Sequence, residues 1–193
     1  MSQPDDAAAS SDAAASPPDE AAEPAEAAGI PHGLRWGIKR SFVDYVRRMP
    51  DGRGWIGDGA VPVGTHEVFF TLDAEASTVG GADAEASTVL AFHGDVRFTG
   101  HYGFLSVRLA QPQLRIQGTS GLLSVATSAD GQNRIPLVTA EIEKVHVQDE
   151  TEVWASTDVR LTQEGVELFN DVYEVGEPFE PLVVQIPRDA SPT

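Results

Sequence analysis

The sequence predicts an all-β fold, an antiparallel β-sandwich or barrel-like domain with one or two short α-helices. Apolar and polar residues alternate in many short segments between residues 67 and 186, as they do in half-buried strands. Glycine, proline and aspartate separate these segments at short intervals. Helical periodicity is clear in a single segment, at residues 41–49. Many short strands with so little helix are typical of antiparallel sandwiches and barrels.

The clear helix is predicted to begin at Ser41 and to end near Met49. Ser41 and Asp44 have the spacing of a capping box, and Pro50 disfavours helical geometry in the residue before it. Because residues three and four apart share a helix face, the apolar face consists of Phe42, Tyr45, Val46 and Met49. We therefore expect Tyr45 to point inward with this face.

Strands are predicted in eight segments, at 67–72, 90–98, 105–109, 113–117, 122–127, 137–147, 153–161 and 182–186. A weaker helix, interrupted by Gly165, is predicted at 162–169. The heptapeptide at 73–79 recurs unchanged at 83–89 and is rich in turn-forming residues. Since one strand-sized unit repeated once makes no solenoid, we interpret this duplication as a lengthened loop.

The best alternation is at 90–98, and a tight turn follows it. Gly100 and Gly103 bracket His101 and Tyr102, and the alternation then resumes as the returning strand of a hairpin. His101 therefore lies at the end of a strand, where its side chain can project over the sheet edge. Taken alone, each tyrosine of the chain is expected to be a core aromatic residue whose hydroxyl is hydrogen-bonded.

The chain of 193 residues divides into a tail at 1–29, a folded domain at 30–188 and a short C-terminal tail at 189–193. The first tail is acidic, rich in alanine and proline, and lacks aromatic residues, Ile, Leu and Val, so we expect it to be disordered. The net charge of −17 argues against nucleic acid or an anionic membrane as partner. No apolar run reaches the roughly 18 residues of a membrane span, and no secretory signal is recognisable. The sequence does not decide the cellular compartment of the protein.

Motifs of catalysis are scarce. The chain has no cysteine, which excludes disulfides and thiolate sites, and it has no serine nucleophile elbow, P-loop or HExxH motif. Gly52, Gly54 and Gly57 match GxGxxG, but a helix precedes them and a strand follows. A dinucleotide site needs the opposite order, so we expect no binding of NAD or FAD.

Most other polar candidates are expected at the surface. This interpretation applies to four histidines, His32, His66, His93 and His146. It also applies to four carboxylates on polar strand faces or in loops, Glu141, Glu143, Glu150 and Glu152.

Three stretches together resemble one known family, the HtaA domain of actinobacterial haem-uptake proteins. Residues 36–46 are similar to its opening signature, with Trp-Gly-Ile-Lys, Ser-Phe and Tyr-Val in order. Residues 92–105 are similar to its central F-x-G-x-V-x-F-x-G-H-x-G-x-L motif, and Gln-Pro at 111–112 fits its next strand. Residues 161–182 resemble its ending, so the resemblance runs from about 34 to 187. The duplicated stretch is an addition to the family pattern.

The resemblance implies non-covalent binding of ferric haem b. Tyr45 matches the position of the axial phenolate ligand, His101 that of its hydrogen-bonded partner, and Tyr173 a further tyrosine near the pocket. Ferric iron favours an anionic oxygen, and a hydrogen bond to that oxygen stabilises it. Lys39 and Arg40, with Arg47 and Arg48 nearby, are the candidate cations for the haem propionates.

The same resemblance implies a role in haem uptake, transfer or iron acquisition. Its partners would be haem donor proteins and a haem-accepting transporter or binding protein, with no nucleic acid. Family members are secreted or held at the cell surface. A cofactor-free cell-surface interaction module is the alternative, and a haem-dependent enzyme ranks third because no distal acid–base pair is evident.

Overall fold

The computed structural model describes residues 31–80, 87–128, 131–148 and 150–188. Within these ranges the chain forms two α-helices, α1 (Arg40–Arg48) and α2 (Gln163–Leu168), and a short 3-10 turn at His101–Gly103. The strands are β1 (Gly33–Trp36), β2 (Arg53–Gly57), β3 (Ala60–Val63), β4 (Glu67–Thr78), β5 (Ser87–Phe92), β6 (Asp95–Gly100), β7 (Leu105–Gln117), β8 (Ser120–Ala126), β9 (Arg134–Gln148), β10 (Thr151–Leu161) and β11 (Leu182–Pro187).

Eight strands close into an antiparallel barrel. Their order is β7, β5, β4, β1, β11, β10, β9 and β8, and β8 pairs back with β7 to complete the ring. The remaining strands extend this barrel: β6 pairs with β7, β2 pairs with β6, and β3 pairs with β4. The prediction of an all-β antiparallel fold with short helices is confirmed, and of the two architectures it allowed, the chain adopts the barrel.

A long hairpin projects beyond the barrel. The predicted single strand at 90–98 is interrupted at His93–Gly94, and β6 then continues along the same neighbour, β7. Gly94 has a φ of +140°, and a Cβ there would lie 2.6 Å from the Phe70 ring. The two segments predicted at 105–109 and 113–117 are one strand, β7, so the interpretation as separate strands was wrong. The turn carrying His101 is the tip of this hairpin, as predicted.

Where the structure describes the duplicated heptapeptide, at 73–79 and 87–89, it is strand except at Val79, so the interpretation of these residues as a loop was wrong. Its first copy forms the end of β4, and residues 87–89 of the second copy begin β5, with Thr78 opposite Val89. The pairing register shifts between Asp73 and Thr78, where the Ser77 hydroxyl accepts a hydrogen bond from the amide of Ala91 at 2.9 Å. The Ser77 side chain thus takes the place of a backbone acceptor in the β4–β5 ladder. Residues 81–86 lie outside the described ranges.

Apolar side chains fill the interior of the barrel and the space beneath the helices. The largest fully buried side chains include Trp36, Phe70 and Phe169. Glu152, predicted at the surface, is buried and forms a 2.8 Å ion pair with Lys144, and Asp95 is likewise buried and receives hydrogen bonds from Arg97 and Arg108. An alternating strand pattern assigns a face but cannot show that a cation from another strand covers it. The other three carboxylates, Glu141, Glu143 and Glu150, are exposed as expected.

Burial by itself would raise the pKa of Asp95, but hydrogen bonds from Arg97 and Arg108 hold that pKa below its usual value. Asp95 pairs with Arg97 in its own strand, and its ion pair with Arg108 joins β6 to β7 in the projecting hairpin.

No helix in the described ranges has the length and apolar character needed to span a membrane. The predicted division at residues 29 and 188 stays a prediction, because residues 1–30 and 189–193 lie outside those ranges.

Candidate functional site

Helix α1 begins one residue before the predicted start. The carbonyl of Lys39 accepts hydrogen bonds from the amides of Phe42 and Val43, which makes Lys39 the N-cap. The predicted capping box at Ser41 and Asp44 was wrong, because Ser41 lies inside the first turn and no side chain caps the helix. Asp44 instead accepts a 3.0 Å hydrogen bond from Nε2 of His66. A tertiary contact therefore replaces the local one.

Tyr45 lies on the flank of α1. The buried residues of the helix are Phe42, Val43 and Val46, whereas Tyr45 is 46% exposed. The expectation that Tyr45 points inward was wrong, since Val43 takes the buried position that the helical pattern had given to the tyrosine. Its ring stands at the edge of a cavity of about 400 Å³. The cavity is lined by Ser41, Phe42, Tyr45, His101, Phe104, Leu105, Asn170, Val172 and Tyr173.

The structure brings Tyr45 and His101 together. A hydrogen bond of 2.5 Å joins the Tyr45 hydroxyl to Nε2 of His101, across 56 positions of sequence. His101 occupies the turn at the tip of the projecting hairpin, where both His101 and Tyr102 have positive φ angles of 49° and 55°. The pair faces a wall that is largely apolar, made of Phe42, Phe104, Leu105 and Val172. A hydroxyl with a hydrogen-bonded imidazole, open to an apolar cavity, can offer an oxygen ligand to a hard metal centre.

Tyr173 lies on another wall of the same cavity. Its ring packs edge-on against Phe169 and Phe179, at centroid distances of 5.8 and 6.0 Å. Burial raises the pKa of Tyr173, and a hydrogen bond with Ser41 opposes that shift only in part. The cavity therefore contains two phenols in different surroundings: Tyr45 is half exposed and hydrogen-bonded to His101, whereas Tyr173 is packed among aromatic rings.

The predicted cations do not line the cavity. Lys39 donates to Glu177 Oε1 at 2.6 Å and to the carbonyl of Pro178 at 2.7 Å, and its ammonium lies 5.4 Å from the centre of the Tyr173 ring. Arg40 is exposed at the start of α1, where its backbone amide donates to Glu180. Arg47 and Arg48 donate to the backbone carbonyls of Thr65 and Asp44.

Sequence reasoning missed three polar or aromatic members of the cavity. Ser41 was interpreted as a helix cap, and Phe104 was given no role beyond its place in the family motif. Asn170 was not singled out, although its side chain donates to the carbonyl of Phe104 at 2.9 Å and its φ is +57°. An Asn-Asp pair after a short helix indicates a left-handed turn, and that was the available signal.

Three other histidines, His32, His66 and His93, do not line this cavity. His93 is exposed and 3.5 Å from Asp73, while His32 contacts Thr151 at 3.3 Å. His66 is only partly buried beside Asp44, on the opposite side of α1, where it borders a second cavity of about 270 Å³. The side chain of His146 lies outside the described part. Among the described residues, no cluster of three or more His, Asp or Glu side chains could hold a metal ion.

Comparison with known proteins adds an independent finding. The family model HtaA, described as Htaa, matches residues 32–185. The crystal structure of the C-terminal domain of HtaA from Corynebacterium glutamicum is 25% identical, with a TM-score of 0.65 over 79% of this chain and 93% of that chain. The N-terminal domain of the same protein is 22% identical, with a TM-score of 0.65 over 80% and 97%.

A third similar structure is that of the heme binding protein HtaB from the same organism. It is 18% identical, with a TM-score of 0.57 over 81% of this chain and 92% of that chain. At this level of identity the likeness concerns the fold alone. A search of curated proteins gave no significant match.

Proposed function

Since the chain belongs to the HtaA family, we propose that it binds haem and takes part in haem uptake or transfer. The family supports a haem-related role, and one protein of the same fold is named as a haem-binding protein. The finer proposal concerns the ligand. Ferric haem b would bind without a covalent link, with the oxygen of Tyr45 as the axial ligand and His101 hydrogen-bonded to it.

The observation that carries this proposal is the 2.5 Å hydrogen bond between Tyr45 and His101 at the edge of an apolar-walled cavity. The residues present fit the group. A flat macrocycle needs apolar side chains against its faces, which Phe42, Phe104 and Val172 supply. Tyr45 is half exposed and lines the cavity, with its hydroxyl hydrogen-bonded to Nε2 of His101. Haem supplies, when bound, a ferric centre that favours phenolate oxygen.

Each residue has a distinct part in the proposal. A free phenol has a pKa of about 10, so Tyr45 needs the metal's charge to act as a phenolate. His101 donates a hydrogen bond that stabilises this anion. Tyr173 stays a neutral hydroxyl, and its ring and that of Phe42 exclude water from the cavity.

The cations enter the proposal in two different ways. Arg40, exposed and next in sequence to Ser41 of the cavity wall, is the candidate for a propionate. Lys39 is ion-paired with Glu177, so we propose that it acts by holding the ring of Tyr173 against the cavity wall. The proposal assigns binding and transfer and no catalysis, with haem donor and acceptor proteins as the partners.

Titration of the protein with hemin, followed by its visible spectrum, tests the function. We expect a high-spin ferric spectrum with a phenolate charge-transfer band. Tyr45→Phe should remove this band while circular dichroism stays unchanged, because Phe keeps the ring and loses only the hydroxyl. His93→Ala, on the exposed strand break, is the matched control and should be nearly silent. If His93→Ala abolishes the spectrum and Tyr45→Phe preserves it, the ligand assignment is wrong.

One observation favours the alternative of a cofactor-free interaction module. Tyr102 and Phe104 are 92% and 85% exposed at the hairpin tip, and exposed aromatic residues are enriched in protein interfaces. A wild-type protein that shows no hemin spectrum at any ratio would support this alternative over the haem proposal.

A further inference from the structure

The turn that carries His101 has an unfavourable backbone conformation. His101 and Tyr102 both have φ angles in the left-handed region, at 49° and 55°, and neither is glycine. Two consecutive non-glycine residues adopt this region only when their surroundings hold them there. The question is which group holds the turn.

The segment that follows α1 provides two contacts with it. Asp51 Oδ2 accepts a hydrogen bond from the backbone amide of Tyr102 at 2.5 Å. The pKa of Asp51 is lowered chiefly by this bond, and the amide of His101 contributes a smaller effect in the same direction. The carboxylate therefore binds the turn at its strained residues.

Met49 provides the second contact, at the start of the turn. A Cβ at position 100 would lie 2.7 Å from Cε of Met49, so the methionine packs where Gly100 has no side chain. Met49 and Asp51 both follow directly from the helix that carries Tyr45. Residues 49–51 therefore connect the helix that carries Tyr45 to the turn that carries His101.

We infer that Asp51 is a positioning residue for the proposed haem site, because its carboxylate holds the turn in which His101 reaches Tyr45. This inference rests on the proposed function. Asp51 does not line the cavity, and its contact with the turn is to the backbone of Tyr102. It acts through His101 and has no direct part in binding.

The first test needs no haem. In NMR spectra of the free protein, Asp51→Ala should speed exchange of the Tyr102 amide proton by at least about 10-fold, because that amide loses its carboxylate acceptor. It should also abolish the nuclear Overhauser contact between the rings of His101 and Tyr45. Asp51→Asn keeps an oxygen acceptor and should preserve both signals. Glu143→Ala removes an equal charge from the exposed face of β9 and should change neither.

The second test is a double-mutant cycle with hemin. Asp51→Ala should weaken hemin binding about as much as His101→Ala, and the double variant should lose no more than His101→Ala alone. Asp51→Asn should retain most of the affinity. Losses that add in the double variant would overturn the inference, because Asp51 would then act independently of His101.

The two tests separate two kinds of failure. If the wild type binds no hemin, the proposed function fails, and the NMR comparison alone still decides whether Asp51 holds the turn. If Asp51→Ala leaves the Tyr102 amide protected and the ring contact intact, the positioning role is refuted even when hemin binds well.

Discussion

Replacing His101 with alanine separates a ligand from a residue that only supports the ligand. In the proposed site the imidazole donates to a phenolate, and a hydrogen bond to a charged group contributes about 1.5–3 kcal/mol. Tyr45 is 46% exposed, so water can replace part of the lost bond. We therefore expect a loss near the lower end, about 1.5–2 kcal/mol, which corresponds to a roughly 10- to 30-fold weaker hemin affinity.

The assay is a spectrophotometric hemin titration of the wild type, His101→Ala and Tyr45→Phe under one set of conditions. His101→Ala should retain the charge-transfer band with weaker binding, whereas Tyr45→Phe should lose the band. Because alanine tolerates the left-handed backbone poorly, His101→Asn serves as a second variant that tolerates it. His66→Ala is the matched control, since His66 also hydrogen-bonds a residue of α1, but on the opposite side of the helix.

Two results would refute the reasoning. If His101→Ala abolishes the spectrum as completely as Tyr45→Phe does, His101 is itself a ligand of the iron. If neither His101 variant changes the affinity by more than about twofold, the 2.5 Å hydrogen bond contributes nothing to binding.

Three further predictions concern the fold. Phe169→Ala should lower the free energy of unfolding by about 3–5 kcal/mol in urea denaturation, because Phe169 is fully buried among Phe42, Tyr173 and Phe179. Asp95→Asn should destabilise the protein by about 1–3 kcal/mol at pH 7. Because the folded pKa of Asp95 is lowered, the wild type should lose this advantage as the pH falls below about 4, and denaturation at pH 7 and pH 3 will show whether the difference shrinks. Deleting residues 1–29 should leave the melting temperature and hemin binding unchanged, because β1 begins at Gly33, and a large loss of either would contradict the predicted domain boundary.

Much of the fold could be predicted because strand alternation and turn chemistry are local. The hairpin turn at His101 followed directly from its two flanking glycines, and the class of fold followed from the number of short alternating segments. Closure of the barrel could not be predicted in the same way. It depends on β1, which has only four residues and pairs with β4 on one side and β11 on the other. A strand so short shows no periodicity, and its partners are distant in sequence.

The site was predictable to the extent that a motif specified it. The resemblance singled out Tyr45, His101 and Tyr173, and all three line one cavity. The orientation of α1 was not predictable, because helical spacing alone cannot decide whether Val43 or Tyr45 faces the core. Lys39 was misjudged for a related reason. A cation at a helix start looks free in the sequence, yet its partner Glu177 lies 138 positions away.

Apart from Leu105, the residues that line the cavity lie outside the eight strands of the closed ring. They come from α1, the hairpin tip, the segment after α2 and the first residue of β7, which pairs with Gly100 of β6. Most of these residues are exposed, and substitutions at the exposed positions leave the hydrogen-bond ladder of the barrel untouched, whereas Phe42 and Leu105 belong to the buried core. Ligand preference can therefore be redesigned at the exposed positions without opening that core.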